Sequence, residues 1–132
     1  MRRLLLLGLV LGVLGGCDPI YTVATSRRIS APLDRTCVIE TLRMAKSVRK
    51  AGVSEYDSAR IYAQLIIPED IPKRDPSDPV ATTLERKNAD GSLEIDFSIN
   101  FIPIRESREY EAFVQKTMEA LLDQMIERCG TK

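Results

Sequence analysis

The 132-residue chain has no histidine and no tryptophan, and aromatic residues make up only 5% of it. Without histidine it lacks the commonest general base and the commonest metal ligand, and no catalytic triad can be built on an imidazole. Its 19 basic and 19 acidic side chains balance, so no excess of positive charge is available to attract nucleic acid. There is no Cys-x-x-Cys pair and no glycine-rich phosphate loop. We therefore expect that the protein is not an enzyme, that it holds no cofactor and that it does not bind nucleic acid.

The first seventeen residues carry the most specific signal in the chain. Arg2 and Arg3 precede an uncharged run from 4 to 14, which as a helix would span about 16 Å, about half of a bilayer core. The run is too short for a transmembrane helix but has the length of the apolar region of a secretory signal. It ends in Leu-Gly-Gly-Cys at positions 14–17. This ending resembles the lipobox of bacterial lipoproteins, an aliphatic residue and two small residues before a cysteine.

The resemblance implies that residues 1–16 are removed as a signal peptide and that Cys17 becomes the first mature residue, bearing thioether-linked lipid and usually an acylated amine such as a palmitoyl amide. Two or three acyl chains hold a protein stably on a bilayer, because each buried methylene contributes about 0.8 kcal/mol. Asp18 follows the cysteine, and in enteric lipoproteins an aspartate there favours retention in the inner membrane. The prediction is a cell-envelope lipoprotein, exposed to the periplasm or otherwise outside the cytoplasm.

Residues 17–33 lack a strong period, and we interpret them as the lipidated cysteine and a tether before a single small domain of residues 34–132. Helical spacing predicts a first helix with Asp34 as its N-cap, running to about Ala51, with Gly52 as its stop. An apolar stripe from Tyr110 to Ile126 predicts a second helix, with Ser107 as its candidate N-cap.

Alternating apolar residues predict three strands between these helices, at 55–67, 80–85 and 93–101. A turn at 88–91 separates the last two, with Gly91 able to take a positive φ. The expected fold class is α+β: helix, three-stranded antiparallel meander, helix, with both helices packed on one face of the sheet.

Once Cys17 is lipidated, Cys37 and Cys129 are the two cysteines that remain. An even number of cysteines outside the cytoplasm is typical of a disulfide. Cys37 falls in the first turn of the first predicted helix, and Cys129 falls in the last turn of the second. Antiparallel helices would bring these ends together. We predict a structural disulfide rather than a catalytic or metal-binding pair.

Two clusters of acidic residues suggest other functions, but both are more simply interpreted as charged side chains exposed to solvent. The first is a weak calcium site on the proline-rich segment 68–79. The second is a pair of hydrolase carboxylates, Glu94 and Asp96, on one face of a strand about 7 Å apart. We predict no metal site and no cofactor.

The outer face of the predicted sheet is the strongest candidate for a partner-binding surface, because tyrosine and arginine are enriched at protein contacts. Its proposed members are Arg60, Tyr62, Gln64, Asp96 and Asn100, with Ser58, Thr83, Glu85 and Ser98 on the same face. The simpler alternative is that this face is only exposed to solvent and binds no partner.

The resulting hypothesis is a non-enzymatic lipoprotein that binds a protein or another envelope component. One alternative is an inhibitor or immunity-type protein whose segment 68–79 enters an enzyme's cleft, and another is a hydrolase.

Overall fold

The computed structural model describes residues 21–101 and 106–130. The predicted signal peptide, Cys17 and Asp18 lie outside the described residues. Of the helices within those residues, none is long and apolar enough to cross a membrane. The elements in chain order are β1 (Tyr21–Ile29), α1 (Arg35–Met44), β2 (Val48–Val53), β3 (Ile61–Leu65), β4 (Val80–Lys87), β5 (Leu93–Phe101) and α2 (Arg108–Cys129).

The strands form one antiparallel sheet in the order β1-β5-β4-β3-β2. β2 to β5 follow one another as a meander, and β1 pairs with β5 along its whole length. The prediction of a three-stranded meander is therefore wrong: the sheet has five strands, with one unpredicted strand at each edge. The α+β class itself agrees with the structure.

β1 occupies residues that we expected to belong to a tether. Val23 and Thr25 are buried under α2, but the next inward position is Arg27, whose Nε lies 3.2 Å from a carboxylate oxygen of Asp123 on α2. Polar residues at inward positions hide the period of two that would have identified a strand. The folded domain thus includes residues 21–29.

β2 begins in the last turn of the predicted first helix, which was expected to run to about Ala51. Its register shifts between Val48 and Lys50, which marks a β-bulge, and the bulge leaves Val48 and Ala51 both buried. Buried positions three residues apart are also typical of a helix face, so a bulged strand imitates a helix in sequence. α1 ends at Met44 instead, and Gly52 is a strand residue rather than a helix stop.

Three local predictions are confirmed. The Asp34 side chain accepts a hydrogen bond from the Cys37 N–H at 2.7 Å and caps α1. Ser107 accepts one from the Tyr110 N–H at 3.2 Å and caps α2. Gly91 has a φ of +84° in the turn between β4 and β5, a conformation that other residues adopt only at a cost.

Buried side chains of both helices and of the sheet form a single core. α2 contributes a continuous stripe to it: Tyr110, Val114, Met118, Leu121, Leu122, Met125 and Cys129. The helices run antiparallel, and a disulfide joins Cys37 at the start of α1 to Cys129 at the end of α2, with a Cα–Cα distance of 5.6 Å. Such bonds persist in oxidising compartments, so the disulfide indicates a location outside the cytoplasm.

The strands end at two opposite ends of the sheet, and each end carries a different set of loops. The first, here called the Tyr21 end, also carries the β3–β4 connection (residues 66–79) and the start of α2. The second, the hairpin end, carries the β4–β5 turn (residues 88–92), the β2–β3 loop (residues 54–60) and the disulfide.

Candidate functional site

The face of the sheet opposite the helices, called the outer face below, carries alternate residues of all five strands. One row of side-by-side residues crosses it from edge to edge: Gly52, Tyr62, Thr82, Ser98 and Ala24. Most of these side chains are small, so the Tyr62 ring is the largest group of the row. A flat, mostly polar face with one aromatic ring is suited to contact with another macromolecule.

The five residues predicted for partner binding all lie on this face, in two clusters. Arg60, Tyr62 and Gln64 belong to β3 or directly precede it, and Asp96 and Asn100 belong to β5. β4 runs between these strands, so the clusters stand about 10 Å apart. The structure thus brings each cluster together but does not make the five residues into one contiguous group.

In the β3 cluster, contacts within the fold hold the side chains of Tyr62 and Arg60. A Cβ added at Gly52 would lie only 3.3 Å from Cε1 of Tyr62, which means that the Tyr62 ring packs directly over that glycine. Arg60 donates from Nη1 to the Thr82 hydroxyl at 3.3 Å and from Nε to a carboxylate oxygen of Asp57 at 3.3 Å. These contacts hold the ring and the guanidinium in place within the fold.

The β5 cluster is engaged within the fold. A carboxylate oxygen of Asp96 lies 2.8 Å from Nε of Arg86, and the Asn100 side-chain oxygen accepts a hydrogen bond from the Thr22 hydroxyl at 3.0 Å. Contact with a partner would have to compete with these bonds. Of the predicted residues, Tyr62 and Gln64 therefore keep the most capacity for new contacts.

The assignment of β4 to the two faces is wrong. Thr83 and Glu85, expected on the outer face, point to the helix side, where the Thr83 hydroxyl accepts the Ile61 N–H at 3.3 Å and the Glu85 carboxylate accepts the Leu33 N–H at 2.9 Å. Thr83 is buried and its hydroxyl has a hydrogen-bond partner, so its inward position is tolerated, whereas Glu85 stays exposed to solvent. The outward positions are those at 80, 82 and 84.

Sequence reasoning missed the most exposed aromatic side chain among the described residues. Tyr56 is 99% exposed, in the β2–β3 loop that alternation had assigned to a strand. Together with Tyr62 and Val80 it lines a shallow depression of about 330 Å³ whose rim carries Lys50 and Glu55. The turn-forming residues around Tyr56 were the one available signal that it lies outside a strand.

The carboxylates proposed for hydrolysis are both bound to Arg86, with oxygens of Glu94 and Asp96 at 3.3 and 2.8 Å from its nitrogens. Hydrogen bonds from Asn88 and Ser26 hold the pKa of Glu94 below its ordinary value. A general acid needs the opposite shift, because it must keep its proton near neutral pH. Both carboxylates are thus engaged by Arg86 within the fold, and the direction of the Glu94 shift does not favour Glu94 as a general acid.

The proline-rich segment is tied to the start of α2. The Glu106 carboxylate is buried and accepts the backbone N–H groups of Arg74 and Asp75 at 2.7 and 2.9 Å. Asp78 is bound to Arg49 at 2.7 Å. Within the described residues, no three acidic or cysteine side chains come close enough together to hold a metal ion.

Burial is the main cause that raises the pKa of Tyr110, and the charges of Glu106, Asp75 and Asp78 add to it. The phenol therefore remains protonated across the physiological range. Tyr110 is a core residue, with its side chain buried on α2.

Two further depressions lie away from the outer face. One, of about 550 Å³, separates the first half of β1 from the first half of α2. The other, of about 370 Å³, lies along α2 between Ser47 and Gln124. Neither gathers an aromatic pair of the kind that Tyr56 and Tyr62 form.

No family model matches the chain, and no curated protein matches it. One of the solved structures that it resembles is a Staphylococcus aureus protein of unknown function, which is 9% identical, with 83% of this chain and 91% of that chain covered. The TM-score is 0.29, a likeness too slight to bear on the fold or on the function.

Proposed function

We propose that this chain is a lipoprotein of the bacterial envelope, anchored through acylated Cys17, whose domain binds a protein or another envelope component through the outer face of its sheet and catalyses no reaction. Asp18 favours the inner membrane as its site. The observation that carries the binding role is the depression beside Tyr56 and Tyr62, which holds two of the four tyrosines of the chain. Tyrosine offers a large amphipathic ring at a low entropic cost and is a frequent centre of protein contacts.

The cysteines support the anchoring role. Cys37 and Cys129 are joined to each other, so Cys17 is the odd cysteine of the three. It stands directly after an apolar run and two glycines, where lipidation would use it. An extracytoplasmic disulfide and a lipobox point to the same compartment.

Anchoring is tested by mass spectrometry of the mature chain and by Cys17→Ser. We expect the mature chain to begin at an acylated Cys17, and the variant to lose lipid labelling and to leave an uncleaved or soluble species. A mature chain that begins at another residue would contradict the anchor. Asp18→Ser serves as the matched control, because it should keep the lipid.

Binding is tested by crosslinking in native membranes, identification of the captured partner, and titration of variants against it. Arg60→Ala with Tyr62→Ala should weaken binding by about 2 kcal/mol or more, about 30-fold in Kd. The melting temperature should change little, because both side chains point outward. Lys116→Ala with Gln124→Ala, on the exposed side of α2, is the control double variant and should bind normally.

Normal capture by a folded Arg60→Ala/Tyr62→Ala variant would contradict an interface on the outer face. The proline-rich segment would then be the next candidate, as in an inhibitor that enters a cleft. Glu69→Ala with Asp70→Ala, both exposed on that segment, distinguishes the two interfaces, since it should weaken capture only if the segment is the contact.

A further inference from the structure

The lipid anchor and the first strand are close together in the chain, and this limits how the domain can stand on the membrane. The limit rests on the lipidation of Cys17 proposed above. Only Asp18, Pro19 and Ile20 separate Cys17 from Tyr21, the first residue of β1. Four trans peptide steps of about 3.8 Å span at most about 15 Å, whatever conformation these residues adopt. Tyr21 therefore stays within about 15 Å of the acylated cysteine.

The sheet is longer than this reach. β1 and β5 pair over nine residues, from Tyr21 opposite Phe101 to Ile29 opposite Leu93, which corresponds to about 27 Å at about 3.4 Å per residue. If the hairpin end rested on the membrane, Tyr21 would stand about 27 Å above it, beyond the reach of the tether. A domain standing on its hairpin end is thus excluded by chain length alone.

We infer that the Tyr21 end of the sheet faces the bilayer, and that residues 66–79 with the start of α2 form its contact surface with the lipid headgroups. Residues 66–79 contain four carboxylates and two cations. Asp78 is bound to Arg49 and lies 3.5 Å from Nζ of Lys73, so part of this charge is already neutralised within the fold. No excess of positive charge draws this surface to anionic lipid, and the short tether keeps it at the membrane.

This orientation restricts the partner. The depression beside Tyr56 and Tyr62 lies on the same 27 Å sheet, so it stands no more than about 40 Å from the acylated cysteine. The partner is therefore a membrane protein, or a component that approaches the bilayer surface.

The test uses the full lipidated chain in vesicles that carry a nitroxide on their headgroups, with a fluorophore on one added cysteine. Glu69→Cys puts the probe at the Tyr21 end, and Ala89→Cys puts it in the β4–β5 turn at the hairpin end. Cys17 is acylated and the other two cysteines are bonded, so the added thiol alone is labelled. We expect quenching at position 69 to exceed quenching at position 89 several-fold.

Equal quenching at the two ends would overturn the orientation, because it would indicate a domain lying on its side or tumbling. A chain in which mass spectrometry finds no acyl group would instead contradict the proposed function, so the two failures are distinguishable. Insertion of twenty Gly/Ser residues before Tyr21 gives the tether a mean span of about 27 Å, and the difference in quenching should then shrink. An unchanged difference would overturn the role of tether length.

Discussion

Glu106 holds two parts of the domain together through a buried carboxylate. It is the only charged side chain that is buried among the described residues, at 5% exposure, and its two carboxylate oxygens accept two backbone N–H groups of the proline-rich segment. Ser107, the N-cap of α2, follows it directly. One side chain thus connects the longest loop of the domain to the start of its longest helix.

Glu106→Gln should lower the free energy of unfolding by about 1–3 kcal/mol, because an amide offers one acceptor oxygen and turns a donor towards the second N–H. Urea unfolding of the soluble Cys17→Ser domain measures the change, and hydrogen exchange should show faster exchange at the Arg74 and Asp75 amides. Glu69→Gln, on an exposed part of the same segment, should stay within about 0.5 kcal/mol. Equal effects of both substitutions would contradict a specific role for Glu106.

Asp78 gives the domain a pH dependence in acid. Partial burial alone would raise its pKa, but the hydrogen bond and charge of Arg49, with the charge of Lys73, outweigh burial and hold the pKa below its ordinary value of 3.8. A carboxyl group whose pKa is lowered by folding stabilises the fold above its unfolded pKa, and this contribution is lost as the pH falls through the folded pKa.

Asp78→Asn should therefore cost up to about 1 kcal/mol at neutral pH and should flatten the fall of the melting temperature below about pH 4. Thermal unfolding between pH 7 and pH 2 measures both effects. Asp70→Asn, at an exposed position of the same segment, is the control and should follow the unsubstituted domain. A steeper fall for Asp78→Asn would reverse the sign argued here.

Among the helices and strands, β1 departs most from the sequence prediction, which assigned its residues to a tether. It covers β5, which would otherwise be an edge strand, and it packs against α2. The Gln115 side chain donates to the Ala24 backbone carbonyl at 3.2 Å, and Arg27 donates to that of Ser26 at 2.9 Å. Side-chain capping of carbonyls on an edge strand limits pairing with other chains.

Truncation distinguishes a strand from a tether. A soluble domain that starts at Tyr21 should unfold cooperatively, whereas one that starts at Ser30 should lose cooperative unfolding, because it lacks Val23 and Thr25 in the core and exposes the whole edge of β5. Urea unfolding followed by circular dichroism measures the difference. If the domain that starts at Ser30 is as stable as the longer one, residues 21–29 are a tether after all.

For the whole molecule, the disulfide connects the two helices at the hairpin end and closes a separation of 92 residues. In the chain-entropy model, closing a loop of that length stabilises the fold by about 4–5 kcal/mol. Cys37→Ala with Cys129→Ala should lower the free energy of unfolding by up to that amount, measured in urea against the oxidised domain.

Thiol titration supplies the control for this effect. The denatured, unreduced Cys17→Ser domain should contain no free thiol. Two reactive thiols per chain would contradict both the bond and the oxidising compartment that it indicates.

Several features could be predicted from the sequence because short stretches determine them. The cap and apolar stripe of α2, the strict alternation of β5 and the turn at Gly91 each depend on residues within one or two helical turns or one hairpin. Of the proposed binding surface, Arg60 and Tyr62 were identified because alternation along β3 is regular. Tyr56 was missed because its neighbours continue that alternation in sequence while the chain has left the sheet.

By itself, the sequence determined the class of the fold, the pairing of Cys37 with Cys129, and the helix and strand whose buried faces are apolar throughout. Only the tertiary structure decided the two edge strands and the inward side of β4. The physical reason is that these strands are stabilised by partners far away in the chain. β1 pairs with β5, β2 pairs with β3 in a bulged register, and the inward Thr83 and Glu85 accept backbone N–H groups of Ile61 and Leu33.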